Sequence, residues 1–244
     1  MLHRLAAGAV GLFLVGPTAS AQISETFGPL VAPLGCPIHY TFNNDVAWPT
    51  WVDPCTFVVT DLAGNPVYTP PCPGPLQLQP GDVLIQTWNQ VDDFGQQVPP
   101  GTYLVGAPVG APMSVGGVAT SISALGAPKL GTTRNYDLCS PLDAGAIHLL
   151  MASTSSTAGA QTCAGLVPLD PGPLLIASLT DWMVFPGFFG VLDGAGRSQA
   201  PALALPAAPA LAGLPVVLAF VVLDPSLPCA IRRISSAFQT LGLF

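Results

Sequence analysis

The stretch Cys55-Thr-Phe-Val-Val-Thr-Asp-Leu-Ala-Gly-Asn-Pro-Val-Tyr68 carries the clearest fold signal in this chain. Its two ends are rich in β-branched and aromatic residues, and Leu62-Ala63-Gly64-Asn65 between them has the composition of a tight turn. This combination is typical of a β-hairpin. We therefore predict strands at residues 56–61 and 66–68, joined by the turn at 62–65.

The same alternation of short strands and turns extends on both sides of this hairpin. We predict further strands at 38–42, 83–88 and 102–105. The composition supports this pattern, because the chain has 28 Pro and 26 Gly, Glu25 is its only Glu and Lys129 its only Lys. Straight-chain Glu and Lys favour helices, whereas Pro, Gly and Asp favour turns. The predicted fold is all-β, with two β-sandwich domains.

The second domain follows a change in composition. Residues 110–127 are small and uncharged, which is typical of an inter-domain linker that contains at most one edge strand. We predict a first domain at 22–109, this linker, and a second domain at 128–244. Its predicted strands are 134–139, 147–153, 174–177, 187–192, 202–205, 216–223 and 230–238.

Residues 1–21 have the layout of a secretory signal peptide, with Arg4 before an apolar run and Ala21 at a small-residue end. We expect cleavage after Ala21 and export to the cell envelope or the extracellular space. The remaining chain has five basic and thirteen acidic residues, a formal charge of −8, which argues against nucleic acid as a partner.

One later run, residues 203–223, is uncharged and long enough to cross a bilayer. Pro206, Pro209 and Pro215 interrupt it, and a helix in lipid would lose a backbone hydrogen bond at each of them. We therefore predict a Pro-rich connection, then one buried strand at 216–223, and no transmembrane segment after signal cleavage.

Four segments of the first domain resemble the intracellular proteinase inhibitor (BsuPI-type) domain family. They are, in family order, the stretch 55–68 quoted above, Leu78-Gln-Pro-Gly-Asp82, Thr87-Trp-Asn-Gln90 and Gly95-Gln-Gln-Val-Pro-Pro-Gly-Thr-Tyr103. The resemblance implies an immunoglobulin-like sandwich and an inhibitor-like role. The family name describes intracellular proteins, whereas this chain has a predicted export signal and six cysteines.

The second domain is similar to an all-β module of exported bacterial proteins. The similarity rests on Gly190-Val-Leu-Asp-Gly-Ala-Gly-Arg-Ser198, on Leu205-Pro206 and Leu211-Ala-Gly-Leu-Pro215, and on Ala219-Phe-Val-Val-Leu-Asp224. It implies an accessory role outside the cytoplasm and no catalytic residue.

Six cysteines in an exported chain favour disulfides over metal sites, because no Cys-x-x-Cys spacing is present. In an unbulged hairpin around 62–65, Asp61 faces Pro66 and the numbers of facing residues add to 127. Cys55 and Cys72 satisfy this relation, so we predict that they bond. Cys163 with Cys229 is the preferred second pair, and the partners of Cys36 and Cys139 stay open.

Histidine chemistry has little support. His39 alternates with Tyr40 and Phe42, and His148 alternates with Leu149, so we expect both on solvated strand faces. No Gly-x-Ser-x-Gly elbow or His-Glu-x-x-His motif accompanies them.

Carboxylate chemistry is the remaining enzymatic option. The loop and turn candidates are Asp92, Asp93, Asp170, Asp181 and Asp193, and glycoside hydrolysis would need two of them in one cleft with an aromatic platform. A calcium site at Asp92 and Asp93 lacks the dense ligand spacing of a calcium loop. We predict no catalytic, cofactor-binding or metal-binding residue.

Trp48-Pro-Thr-Trp51, followed by Asp53, is the candidate contact site, because its Pro-flanked loop predicts exposed rings. Trp88 is expected in the core. The leading hypothesis is a non-enzymatic exported protein that acts by protein contact. The alternatives are a direct inhibitor of a secreted protease, through rigid loops at 48–54 and 70–75, and a carbohydrate-binding or carbohydrate-acting protein.

Overall fold

The computed structural model describes residues 23–106, 110–126 and 128–240, and these residues form an all-β protein with one short α-helix. The predicted signal peptide lies outside the described residues. No helix among them is long and apolar enough to span a membrane. The uncharged run at 203–223 contains a 3₁₀ turn, Pro209–Leu211, and then the predicted strand, Val216–Leu223.

The N-terminal lobe is described at residues 23–106 and 110–115, and these residues form ten strands and one 3₁₀ turn, Pro54–Thr56. The strands are β1 (Ile23–Gly28), β2 (Val31–Ala32), β3 (Ile38–Asn44), β4 (Thr50–Val52), β5 (Val59–Thr60), β6 (Pro66–Tyr68), β7 (Leu76–Leu78), β8 (Val83–Trp88), β9 (Gly101–Val105) and β10 (Ala111–Val115). They form a sheet in the order β1-β3-β8, a second in the order β2-β10-β9-β5-β6, and the two-stranded ribbon β4-β7.

Aromatic side chains fill the core of this lobe. Trp88 is fully buried, as predicted, and its ring packs against Tyr68 and Tyr103. Tyr40 stacks on Phe57 with the ring centroids 5.1 Å apart. Rings of this size bury large apolar areas, so a few of them hold the two sheets together.

The β5-β6 hairpin contains a register shift that its sequence does not predict. Val59 faces Tyr68, but Thr60 faces Pro66, so the predicted pairing of Asp61 with Pro66 is wrong. A carboxylate oxygen of Asp61 accepts from the backbone N–H groups of Ala63 and Asn65 and tightens the turn. The predicted strand at 56–61 shortens to β5, because Pro54–Thr56 forms the 3₁₀ turn instead.

The C-terminal lobe, residues 121–240, contains eleven strands, one helix and two 3₁₀ turns, Pro141–Asp143 and Pro209–Leu211, within its described part. The regular elements are β11 (Ser121–Leu125), β12 (Thr133–Cys139), β13 (Ile147–Ser153), β14 (Ala160–Thr162), β15 (Gly165–Val167), α1 (Pro173–Thr180), β16 (Phe189–Val191), β17 (Arg197–Ser198), β18 (Ala202–Ala204), β19 (Val216–Leu223), β20 (Ile231–Ile234) and β21 (Phe238–Thr240).

Two sheets of this lobe enclose the larger of its cores. One sheet has the order β11-β12-β17, with β18 also on β12, and the other has the order β16-β13-β19-β20, with β21 also on β19. Phe185, Phe188 and Phe220 are buried between them. The β14-β15 hairpin covers the outer face of the second sheet through Val167 and Leu169.

The predicted strand at 174–177 is wrong, because these residues belong to α1. Its apolar run has neither a clear two-residue nor a clear helical period, and Pro173 fits the first turn of a helix. The helix packs beside β13, where the Ser178 hydroxyl accepts a hydrogen bond from the Ala152 N–H at 3.1 Å. The helix thus provides a hydrogen-bond acceptor for the Ala152 N–H of β13.

The segment predicted as a linker contributes a strand to each lobe instead. β10 pairs with β9 over five residues, and β11 pairs with β12 over five residues, so only residues 116–120 connect the lobes. Met113, Val115 and Ile122 are almost fully buried. The residues between these buried side chains are small, and composition alone does not distinguish a linker from an interior strand of small residues.

The two lobes are joined covalently and by packing. Cys36, which precedes β3, is bonded to Cys139 at the end of β12. β11 also contacts β3 and β1. The strand β3 is therefore covered on one face by its own lobe's core and on the other by the C-terminal lobe, and all of its residues are buried.

Candidate functional site

Trp51 lies on β4 of the β4-β7 ribbon and Trp48 lies in the bend just before it, and both rings are exposed. We call this bend and the ribbon the tryptophan ribbon. The side chain of Trp48 is 54% exposed and that of Trp51 is 63% exposed. The backbone beneath them is fixed, because the Trp48 carbonyl accepts a hydrogen bond from the Asn44 side chain at 3.1 Å and Trp51 pairs with Gln77 of β7. Two large rings are thus displayed on an ordered support.

Asp53 fixes the turn that follows the ribbon. Its carboxylate Oδ1 accepts from the Cys55 N–H at 3.0 Å, and its carbonyl accepts from the Thr56 hydroxyl at 2.9 Å. The Asp53 carboxylate also lies within 4.8 Å of the sulfurs of Cys55 and Cys72. These sulfurs are bonded to each other, so they offer no thiolate to a metal ion.

The Cys55–Cys72 disulfide links the two loops that the sequence analysis singled out as candidate inhibitory segments. Cys55 is in the 3₁₀ turn after β4, and Cys72 is in the Pro-rich loop before β7. The two cysteines are therefore paired as expected, but from a turn and a loop and not from extended hairpin strands. The bond holds the loop at 70–75 beside the tryptophan ribbon.

The Cys163–Cys229 disulfide, the other expected pair, has a different position. Cys163 lies in the turn of the β14-β15 hairpin, and Cys229 lies just before β20. The bond holds the β14-β15 hairpin against the outer face of the sheet that contains β13 and β19. Its two cysteines are more than 80 residues away in sequence from β7, the last strand of the tryptophan ribbon.

The carboxylates considered for catalysis hold turns and loops, some of them in distant segments, as when Asp93 accepts from the Thr69 N–H. Each accepts at least one backbone N–H hydrogen bond, and Asp170 accepts from Thr157, Ala158 and Gly159. The other four are Asp92, Asp93, Asp181 and Asp193. Hydrogen bonds from Ser155 and Thr157 place the pKa of Asp170 well below its usual range. The Asp170 carboxyl is therefore a poor proton donor at neutral pH.

The prediction that His39 is in solvent is wrong. Because both faces of β3 are covered, the His39 side chain is only 5% exposed. Its Nδ1 lies 3.0 Å from the Thr87 hydroxyl, and its Nε2 lies 2.9 Å from Oδ2 of Asp137 on β12. No local sequence pattern predicts this contact, because it joins residues 98 positions apart across the lobe interface.

Asp137 is the centre of this interface network. Its Oδ2 also accepts from Nη2 of Arg197 at 2.6 Å. Burial would raise the pKa of Asp137, but the hydrogen bonds from His39 and Arg197 outweigh it and lower the pKa below its ordinary value. A hydroxyl, an imidazole and a carboxylate in a row also occur in nucleophilic triads. Here Arg197 neutralises the carboxylate and the imidazole is enclosed between the lobes, which favours a role in holding the lobes together.

The prediction for His148 is also wrong, because its side chain is fully buried. It points with Leu150 and Ala152 into the core between the two sheets, where its ring packs over Gly190. Burial lowers the pKa of His148. A neutral core imidazole with one long contact, 3.4 Å from Nε2 to the Gly187 carbonyl, has no reactive neighbour in the described chain to act on.

A groove of about 360 Å³ lies between the lobes, with Asp82 and Ile85 on one side and Lys129 and Asn135 on the other. None of the described residues that line it is aromatic. It therefore lacks the ring platform on which a sugar-binding cleft depends.

The exposed tryptophans thus form an ordered apolar surface that is suited to recognition. Comparison of the chain with protein-family models and with curated protein sequences gives no match.

Proposed function

We propose that this protein is a non-enzymatic, exported binding protein that contacts a protein partner through Trp48 and Trp51. The observation that carries the proposal is the exposure of both rings on a ribbon whose backbone is hydrogen-bonded and whose flank is closed by the Cys55–Cys72 disulfide. Exposed Trp side chains on a rigid support are typical anchors of protein interfaces, because little conformational entropy is lost when they are covered.

The rest of the described chain supports a binding role over catalysis. Its loop carboxylates are engaged in turns, His148 is in the core and His39 is between the lobes. Disulfides are typical of proteins in oxidising compartments, and the three disulfides of this chain agree with the export expected from residues 1–21.

A second candidate, direct inhibition of a secreted protease, is favoured by one observation. The disulfide joins the ribbon loop to the Pro-rich loop at 70–75, and a doubly tethered loop is the kind of segment that can occupy a protease cleft without being cleaved quickly. It also agrees with the inhibitor-like role that the resemblance of the first domain implies.

The test is a titration of the purified chain against secreted serine, cysteine and metalloproteases, with complex formation measured by fluorescence anisotropy alongside activity. Stoichiometric loss of activity supports inhibition, and complex formation without loss of activity supports binding alone. Failure to bind any extracytoplasmic protein, including those of the producing organism's own secreted fraction, overturns both.

The tryptophans are tested by Trp48→Ala and Trp51→Ala. Each should weaken partner binding by at least about tenfold, as interface hot spots do, and lower the melting temperature little, because the rings are exposed. Leu166→Ala is the control, since this apolar side chain is 52% exposed on β15 of the other lobe and lies outside the tryptophan segment. Equal losses of binding and of thermal stability would instead identify Trp48 and Trp51 as structural residues.

A further inference from the structure

The C-terminal lobe has an apolar surface that the tryptophan ribbon does not explain. It comprises the side chains of Ile176, Leu179, Trp182, Met183, Phe189 and Val191, which we call the edge patch, and their exposed fractions run from 37% for Leu179 to 90% for Met183. At about 200 Å² per residue, the value for aromatic side chains, these fractions give an upper limit of roughly 700 Å² of exposed surface. The largest apolar patch on a typical monomer is only about 300–600 Å².

The six residues lie in one stretch of the chain, 176–191. Ile176 and Leu179 are three residues apart and so lie on one side of α1, and Met183 lies in the turn that follows the helix. Trp182 contacts Phe189, with ring centroids 6.4 Å apart. Phe189 and Val191 are two residues apart on β16 and so lie on the same face of the strand.

The edge patch is free of charge. Residues 172–192 contain a single charged side chain, Asp181, and its Oδ1 accepts from the N–H groups of Met183 and Val184. The whole chain carries a formal charge of −7, so most of its surface would repel a second copy. Residues 172–192 contribute only one charge to this repulsion.

The strand β16 also presents an unpaired edge. The Phe188 carbonyl and the Leu192 N–H bond to β13, and in an antiparallel pair this leaves the N–H and C=O groups of Phe189 and Val191 directed away from it. No described strand pairs with that side of β16. An open edge beside an apolar face is a template for pairing with another strand.

We propose that the edge patch is the interface of a homodimer in which the β16 strands of two copies pair antiparallel across a two-fold axis. Edge pairing would place Phe189 and Val191 of the two copies side by side on one face of the joined sheet. The exposed surface of the six residues, roughly 700 Å² per copy, is the upper limit of what the dimer can bury, against ~800 Å² per partner in a standard stable interface. A two-fold axis brings the same patch from each copy together, so an uncharged, apolar and self-complementary surface is what it requires.

The test is sedimentation velocity of the purified full chain, with its disulfides formed, from low micromolar to near-millimolar concentration. The wild type should show a concentration-dependent monomer–dimer equilibrium. Met183→Lys and Val191→Lys should each weaken dimerisation at least about tenfold, because each copy would place a cation in an apolar interface. Near-UV circular dichroism checks that both variants fold.

Leu166→Lys and Trp51→Lys are the controls, since both replace exposed apolar residues outside the edge patch, and they should leave dimerisation unchanged. A wild type that stays monomeric at the highest concentration overturns the proposal, as does a dimer that neither patch variant weakens. Binding of a monomeric wild type to phosphatidylcholine vesicles, abolished by Met183→Lys, would assign the patch to a membrane surface instead. Partner binding through Trp48 and Trp51 is measured separately, so each proposal can fail without the other.

Discussion

Removing the Cys36–Cys139 disulfide by a double substitution to Ala should cost more stability than removing Cys55–Cys72 in the same way. The first bond joins residues separated by 103 positions and the second joins residues separated by 17. In the chain-entropy model these loops correspond to about 4.7 and about 3 kcal/mol of unfolding free energy. Cys36 and Cys139 are also buried, so the lost packing of their sulfurs adds to the first figure.

The measurement is urea unfolding of each double variant beside the wild type, followed by tryptophan fluorescence and by far-UV circular dichroism. Trp88 reports on the N-terminal core, and coincidence of the two signals establishes whether the lobes still unfold together. If the Cys36→Ala/Cys139→Ala variant is as stable as the Cys55→Ala/Cys72→Ala variant or more so, loop closure does not govern the stability of this molecule.

Three further changes test the interior. Asp137→Asn should cost about 2–3 kcal/mol at pH 7, the value of hydrogen bonds to a charged group, in urea titrations. Because the folded-state pKa of Asp137 is lowered, its contribution is present above the unfolded pKa of about 3.9 and is lost as the pH falls below it, so the two proteins should converge in acid. For His148, whose folded-state pKa is also lowered, stability should fall as the pH drops below about 6.5, and melting curves of His148→Leu should lack this loss. Gly196→Ala should cost at least about 2 kcal/mol by thermal melting, because Gly196 has a φ of +73° and a Cβ there would lie 2.1 Å from the Ser140 carbonyl oxygen.

The sequence predicted the elements whose side chains alternate or whose turns are explicit. β6, β8, β13 and β19 have the predicted bounds, and the fold is all-β as expected. Trp48 and Trp51 are exposed on their loop ribbon, in agreement with the Pro-flanked pattern.

The errors at the two histidines share one physical cause, which is that alternation was taken to imply a solvated face. β3 and β13 are interior strands covered on both faces, so His39 and His148 are buried although they alternate with apolar residues. The elements that cover these two strands are distant in sequence, so no local pattern predicts the burial of the histidines. The strands β10 and β11 were missed for a related reason, since small uncharged residues also suit a strand packed between others.

The nesting of the disulfides has a consequence for biosynthesis. Cys55–Cys72 lies entirely inside the loop that Cys36–Cys139 closes. A chain that emerges from the ribosome N-terminus first presents Cys36, Cys55 and Cys72 long before Cys139 exists. An oxidase that joins cysteines in their order of appearance would couple Cys36 to Cys55, so correct assembly requires either delayed oxidation of Cys36 or an isomerase that reshuffles the early bond. Yield in a host without disulfide isomerase activity should therefore depend on the first cysteine of the chain more than on any other.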